Sequence, residues 1–387
     1  MVRTGAYGFV KFGWESGYGQ GAGSATDVNK RFGLQERVTG WTLNNNIQTL
    51  PALNQSVYEK FAYGQQSGSI SLGFVLANPY IFGAVYGAPN VETSLSSPHD
   101  SGYVRYIYGG KSNSGDYSGD TTACVQPKIT RPMEIYVGFN SLKTSGYEHY
   151  EIRKLRGAVI NTLGLSASVG GMVEATADFT YGVEGAPTTV TGTSGNLNPS
   201  PPTGWSTCDT PATYPKSSAN FPYTFAHARL LWGGSTYSTD EVVQVQDLSI
   251  DFATNSELLY AINSHQAVSS FRKIFDITGR FRAAKRDSDK LQNVLDQIRQ
   301  NTGSTYNETV GNTDSSIKLQ ILFSKKNSSG APQEDYIKID CYGLAPTEYS
   351  TGLEPAELVT EEIPWRIKFA KVTAYTSEDT VDTTVKP

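Results

Sequence analysis

Hydrophobic residues in this chain mostly alternate with small or polar ones in short runs, and only once do they recur at helical spacing over a long stretch. The clearest alternation is GSISLGFVL, Gly68 to Leu76, where Ile70, Leu72, Phe74 and Leu76 share one face and small residues occupy the other. A period of two marks a strand with one face buried. Related runs occur around Val38 and Trp41-Leu43, in MEIYVGF (133–139), YEHYEIRKL (147–155), FAHARLLWGG, SIKLQILFS and YIKIDCYG. In VVQVQDLSIDFA, Val243 and Val245 alternate, then Leu248, Ile250 and Phe252, with one slip that reads as a bulge. Helical signals are fewer. Pro79 and Gly87 bracket YIFGAVY as a first-turn proline and a C-terminal glycine. Leu291, Val294, Leu295 and Ile298 recur at helical spacing behind Asp287 and Ser288, which can cap. The pattern predicts a mainly β chain with two short α-helices.

The strand and helix signals occur twice in the same order. GSISLGFVL stands opposite KIFDITGRF, PYIFGAVYG opposite the Asp287 helix, and MEIYVGF opposite SIKLQILF. Each series ends in a unit opened by a chain-reversing glycine. From Gly157, Met172-Val173 and Phe179 lie at the same distances as Leu358-Val359 and Trp365 lie from Gly343. This is an internal duplication. It predicts an extended N-terminal arm over 1–33, a first lobe over 34–181 with a Gly/Ser/Tyr-rich insertion at 89–128, and a Gly/Pro/Ser/Thr-rich connector over 182–222. A second lobe over 223–376 and a loose tail over 377–387 follow.

Composition narrows the chemistry. Of 387 residues only 18% are charged, the net charge is −5 and glycine and tyrosine are abundant (38 and 23). No basic run is long enough for tight wrapping of nucleic acid. The cysteines Cys124, Cys208 and Cys341 are scattered, matching neither a disulfide framework nor a zinc site. His99, His149, His227 and His265 stand apart from one another and from paired carboxylates, and GYGQGAG lacks the strand, helix and lysine of a phosphate loop. Glu354, Glu357, Glu361 and Glu362 cluster without the spacing of a calcium loop and read as a solvated face. No catalytic, metal or cofactor residues are expected. The absence of an apolar leader or a membrane-length apolar run predicts a soluble chain made in the cytoplasm. The residues best suited to contacts between subunits are Trp14 and Tyr18 in the arm, Tyr103, Tyr106 and Tyr108 in the insertion, and the basic group Arg280, Arg282, Lys285 and Arg286.

Trp14 to Gly19 (WESGYG), Phe32-Gly33, SGSISLGFVLANPYIFGAVYG, HYEIRKLRGAVINTLGLSASVGG and the closing IPWRIKFA resemble the tail tube proteins of tailed viruses, bacteriophage or archaeal. The resemblance implies two tandem β-sandwich lobes, each with a short helix, whose strands join those of neighbours into a barrel. It implies a structural virion protein, trimeric rings of six lobes stacked into a tube, other tail proteins as partners, and double-stranded DNA passing through the lumen without sequence-specific binding. The N-terminal arm and the 101–120 hairpin are the expected contacts between rings. The alternative is a carbohydrate-binding or adhesin-like β protein, monomeric with one aromatic groove.

Overall fold

A computed structural model of the chain describes residues 3–22, 30–51, 58–62, 64–87, 89–92, 104–109, 131–141, 147–193, 222–233, 245–285, 318–326, 332–342, 344–351 and 359–376. The chain opens with β1 (Arg3–Trp14), β2 (Leu34–Asn44), the hairpin of β3 (Gln48–Pro51) and β4 (Tyr58–Ala62), and β5 (Ser67–Val75). A six-residue helix, α1 (Ile81–Tyr86), follows Pro79 and ends where Gly87 turns to a φ of 88°. Then come β6 (Asn90–Glu92), β7 (Val104–Tyr108), β8 (Met133–Ser141), the 22-residue β9 (Tyr147–Ser168), β10 (Glu174–Tyr181) and β11 (Val183–Thr193). The second half holds β12 (Ala228–Gly233), β13 (Val245–Ala253), the hairpin of β14 (Ser256–Tyr260) and β15 (Ala267–Arg272), and β16 (Asp276–Ala284). It closes with β17 (Lys318–Lys326), β18 (Pro332–Tyr342), the short β19 (Ala345–Pro346) and β20 (Ser350–Thr351), β21 (Thr360–Ile367) and β22 (Phe369–Thr376).

One long antiparallel sheet runs β19-β21-β16-β13-β9-β10-β5-β2. Strand β9 is long enough to serve two sheets: its second half pairs β10 and β13, while its first half pairs β8 and β11. Gly157 stands at the changeover with φ +63°, and an added Cβ would lie 2.6 Å from the Tyr18 ring. Only glycine adopts that turn there without strain. The Glu15 carboxylate accepts the Gly157 and Gly19 N–H groups at 2.9 and 2.7 Å, and Glu134 accepts Ala22 N–H and Arg156 Nε. This explains the WESGYG element: its glutamate ties the arm to the turn. Burial pushes the Glu15 carboxyl up, against those two N–H bonds that pull it down.

The second sheet, β12-β17-β18-β22-β7-β6, shares a core with the long one, with Trp232 edge-on to Phe281. Side chains alternate cleanly between core and solvent. In β10, Ala175, Ala177, Phe179 and Tyr181 are buried while Glu174, Thr176 and Asp178 are exposed. A single core runs through both halves, from Phe12, Phe32 and Phe74 to Phe281, Trp365 and Val372.

The repeat reappears as strand register. Ile160 faces Phe179 and Gly164 faces Thr176; shifted by 186 residues, Pro346 faces Trp365 and Ser350 faces Glu362, with one extra residue between the pairs both times. Strand β5 pairs β10 as β16 pairs β21: Gly68 with Tyr181 answers Ile277 with Ile367. Strand β2 pairs β5 as β13 pairs β16, with one extra residue, Thr39, in β2: Val38 with Leu72 answers Leu248 with Phe281, and Leu43 with Gly68 answers Phe252 with Ile277. The mainly β class and the helix after Pro79 agree with the sequence reading. Three placements differ from it. The arm is not merely extended, since β1 pairs β8 over most of its length. Residues 183–193, expected in the connector, form β11 on the edge of β9. Strand β7 from the first-half insertion joins the second-half sheet through β22. The Asp287 helix, Gly343, and the insertion beyond Gly109 up to Thr130 lie outside the described residues.

Candidate assembly interface

The two halves of the long sheet meet where β13 zips onto the outer edge of β9. Leu248, Ile250 and Phe252 lie opposite Ala167, Leu165 and Leu163, all of them buried. The root of the β14–β15 hairpin is keyed into the same strand: the Thr254 hydroxyl donates to Ile160 O at 2.5 Å and its N–H to Asn161 O at 2.8 Å. Asn161 is the extra residue of the β9–β10 bulge, so the bulge is the socket for this joint.

The sheet's two ends are then an unmatched pair of the same kind. At one end lies β2, the counterpart of β13; at the other lie β19 and β20, the counterpart of the second half of β9. Among the described residues neither edge has a further strand. On β2 the side chains that point toward the core side remain open: Val38 is 38% and Leu43 41% exposed, whereas their counterparts Leu248 and Phe252 are 4% and 0% exposed. An apolar strand edge left uncovered is a template for pairing. Trp41, the counterpart of Ile250, lies over the edge with its indole N–H donated to Tyr181 Oη at 2.8 Å and the Arg153 guanidinium 4.7 Å above its ring. On the opposite edge Tyr349 donates its hydroxyl to the buried Glu361 at 3.2 Å.

The outward face of the long sheet is rich in hydroxyls, and its arginines are paired with carboxylates. Arg37 pairs with Glu174 (3.6 Å), Arg282 with Asp247 (2.8 Å), Arg280 with Glu362 (2.9 Å) and Arg366 with Asp276 (3.4 Å). Thr162 donates to Asp178 at 2.6 Å. Burial raises the Asp251 carboxyl, and Arg280 pulls it back down.

The residues expected at subunit contacts are placed differently from one another. Tyr106 and Tyr108 are fully buried in the chain's own core, with Phe82 against Tyr108. Trp14 lies under Arg131 and edge-on to Phe12, and Tyr18 packs on the Gly157 turn. Arg280 and Arg282 are engaged in the ion pairs just described, and Lys285 stands 5.9 Å over the Tyr349 ring. Tyr103 and Arg286 lie outside the described residues. The structure thus places only Lys285 beside the β19–β20 edge; Arg280 and Arg282 lie on β16, paired to β21 and β13, and Tyr106 and Tyr108 lie in the core. The β2 edge was passed over by sequence reading, although Val38, Trp41 and Leu43 were visible in it as strand residues. Among the described residues no group of His, Cys, Asp or Glu could hold a metal ion, and no helix is long and apolar enough to cross a membrane. His227 bonds Thr224 at 2.8 Å, His265 approaches Gly64 O at 3.1 Å, and Cys341 is buried with its thiol pushed well up by burial.

A duplicated β subunit whose sheet, among the described residues, ends in two unjoined edges, each the image of a partner already joined inside the chain, fits the class of structural proteins that assemble by repetition. The chain belongs to the phage tail tube protein family, whose family model it matches over residues 5–366. The protein is accordingly a structural component of the virion tail, and its partners are further copies of itself and other tail proteins. No curated protein sequence matches it. Among solved structures it is similar to the SPP1 tail tube determined by solid-state NMR and cryo-EM, at 12% identity, covering 43% of this chain and 87% of that one, with a TM-score of 0.27.

Proposed function

We propose that three copies of this chain close into a ring of six lobes, and that stacked rings form the tail tube through which double-stranded DNA passes. The observation that carries this reading is the β9–β13 joint together with its two unjoined counterparts. If β2 of one copy zips onto β19 and β20 of the next as β13 zips onto β9, every lobe meets its neighbours in one way. Register follows from the internal joint. Asp251 faces Gly164 and Phe252 faces Leu163 within the chain, so Thr42 faces Ser350 and Leu43 faces Tyr349 between copies. Such contacts are heterologous, and rotation closes them into a ring rather than an open filament. Closure removes the exposed edges and buries Val38 and Leu43. The outward face of the long sheet then lines the lumen. Its hydroxyls and internally paired charges offer the phosphate backbone no concentrated positive charge to grip, which suits passage without sequence-specific binding.

The test is a cysteine pair. With Cys124→Ser and Cys208→Ser as background, Thr42→Cys combined with Ser350→Cys is oxidised after assembly. Denaturing gels should show covalent species up to three chains, whereas either cysteine alone gives monomer. Rings in electron micrographs that contain six chains, or no cross-link in assembled tubes, would defeat this reading.

A further inference from the structure

The two hairpins that follow β2 and β13 are built to one pattern but have different surroundings. Gln48 faces Ala62, Thr49 faces Phe61, Leu50 faces Lys60 and, after a one-residue slip, Pro51 faces Tyr58. Glu257 faces Phe271, Leu258 faces Ser270, Leu259 faces Ser269 and, after the same slip, Tyr260 faces Ala267. Both hairpins begin and end at the same distance from their flanking strands. Yet β14–β15 reaches across the joint and closes on the first repeat, against β9 and β10, while among the described residues β3 and β4 pair only with each other.

The reach of β14–β15 is made of specific bonds. Tyr260 donates its hydroxyl to Gln66 O at 2.8 Å, the Gln66 N–H donates to His265 O at 2.7 Å, and His265 Nδ1 lies 3.1 Å from Gly64 O. At Gly182 an added Cβ would come within 2.4 Å of the Ala267 methyl, so the hairpin sits directly on the backbone. At the root, Thr254 is wholly buried. Its counterpart Asn45 is exposed, and Ile47 beside it is 51% exposed. The surface of the second repeat that corresponds to Gly64–Gln66 is Lys273–Phe275, and there Ile274 is 78% exposed.

We propose that the β3–β4 hairpin is an intermolecular clasp: it closes on the second repeat of the neighbouring copy over Lys273–Phe275, as β14–β15 closes on the first repeat within one chain. The clasp rests on the ring reading above, and its occupant is a second copy of this chain. Root and receiving surface each carry an exposed isoleucine, Ile47 and Ile274, which the clasp covers. The seat follows from the same correspondence: Tyr58 takes the place of Ala267, and Lys368 that of Gly182.

The clasp is tested away from the strand joint. In the same Cys124→Ser, Cys208→Ser background, the full chain carrying Tyr58→Cys and Lys368→Cys is assembled and treated with a bismaleimide. Covalent dimers and trimers, absent from either single-cysteine chain, are expected. A second variant replaces residues 48–62 by Asn-Gly and keeps Thr42→Cys with Ser350→Cys. It should still cross-link at the joint, but rings should need at least tenfold more protein to form, with the monomer's melting temperature unchanged. Cross-linking at 42/350 without cross-linking at 58/368, or rings forming from the shortened chain at the usual concentration, overturns the clasp and leaves the joint standing. Failure at both pairs removes the joint and the clasp together.

Discussion

Strands β2 and β13 pair with their inner neighbours alike except for one extra residue in β2, Thr39, and carry apolar residues at matching positions, yet among the described residues β2 has no outer neighbour whereas β13 has β9. The difference lies wholly in what stands beside them. Strand β13 has β9 of the same chain; the corresponding neighbour of β2 is, on the proposed ring, the edge of another copy. Exposed apolar residues scattered over a surface need no explanation. Val38 and Leu43 do, because a matched pair inside the same molecule records what covers such residues when the edge is complete.

The sharpest way to break this comparison is to make one change on both strands. Phe252→Ala should lower the unfolding free energy of the monomer by about 3–5 kcal/mol, the range for removing a fully buried aromatic. Leu43→Ala should shift it by no more than about 0.5 kcal/mol, as for other exposed sites, while raising the concentration needed for rings. Denaturant unfolding of the unassembled chain measures both, and equal costs would mean that β2 is already covered.

The next largest effect concerns the two turns. Gly157→Ala forces a Cβ into the left-handed region and against the Tyr18 ring, for a loss of about 2 kcal/mol. The same change at Gly343, read by thermal unfolding, sharpens the comparison by reporting whether the second turn is built alike.

The smallest effect is one of pH and is confined to the first repeat. Glu36 accepts the N–H groups of Phe32 and Gly33 at 2.7 and 3.3 Å, and burial pushes its carboxyl from 4.5 up to about 7, against the opposing pull of Arg31. With the folded value above the unfolded one, its contribution is fully present below about pH 4.5 and is lost as pH rises through about 7. The loss should be about 1 kcal/mol, because Glu36 is only partly covered from solvent. Melting temperatures between pH 4.5 and 8 should fall less in Glu36→Gln than in the parent chain; parallel curves would assign the pH dependence elsewhere.

Local pattern made much of this fold legible. The alternation of Gly68 to Leu76, the proline and glycine around YIFGAVY, and the matched spacing after Gly157 and Gly343 each act through nearby residues. What stayed hidden depends on partners far along the chain. Strand β11 lies in a Thr/Pro/Gly-rich stretch whose composition suggests a linker, and only the edge of β9 makes it a strand. Strand β7 pairs with β22, more than 260 positions away, so nothing local shows that Tyr106 and Tyr108 belong to the core. The interface shows the same limit: Val38 and Leu43 are ordinary strand residues until β13 reveals what their places bury.

Carrying one joint inside the chain also acts on arithmetic. Repeats that enter a ring singly could close as five, six or seven, and the neighbouring closures differ from six by only about 10° per joint. Repeats delivered in covalent pairs can close only in even numbers, and the nearest alternatives, four or eight, require each joint to change from about 60° to about 90° or 45°. On the proposed ring the β9–β13 joint is therefore a parity filter on the calibre of the tube: it removes the small-angle errors and leaves only those that a packed sheet resists.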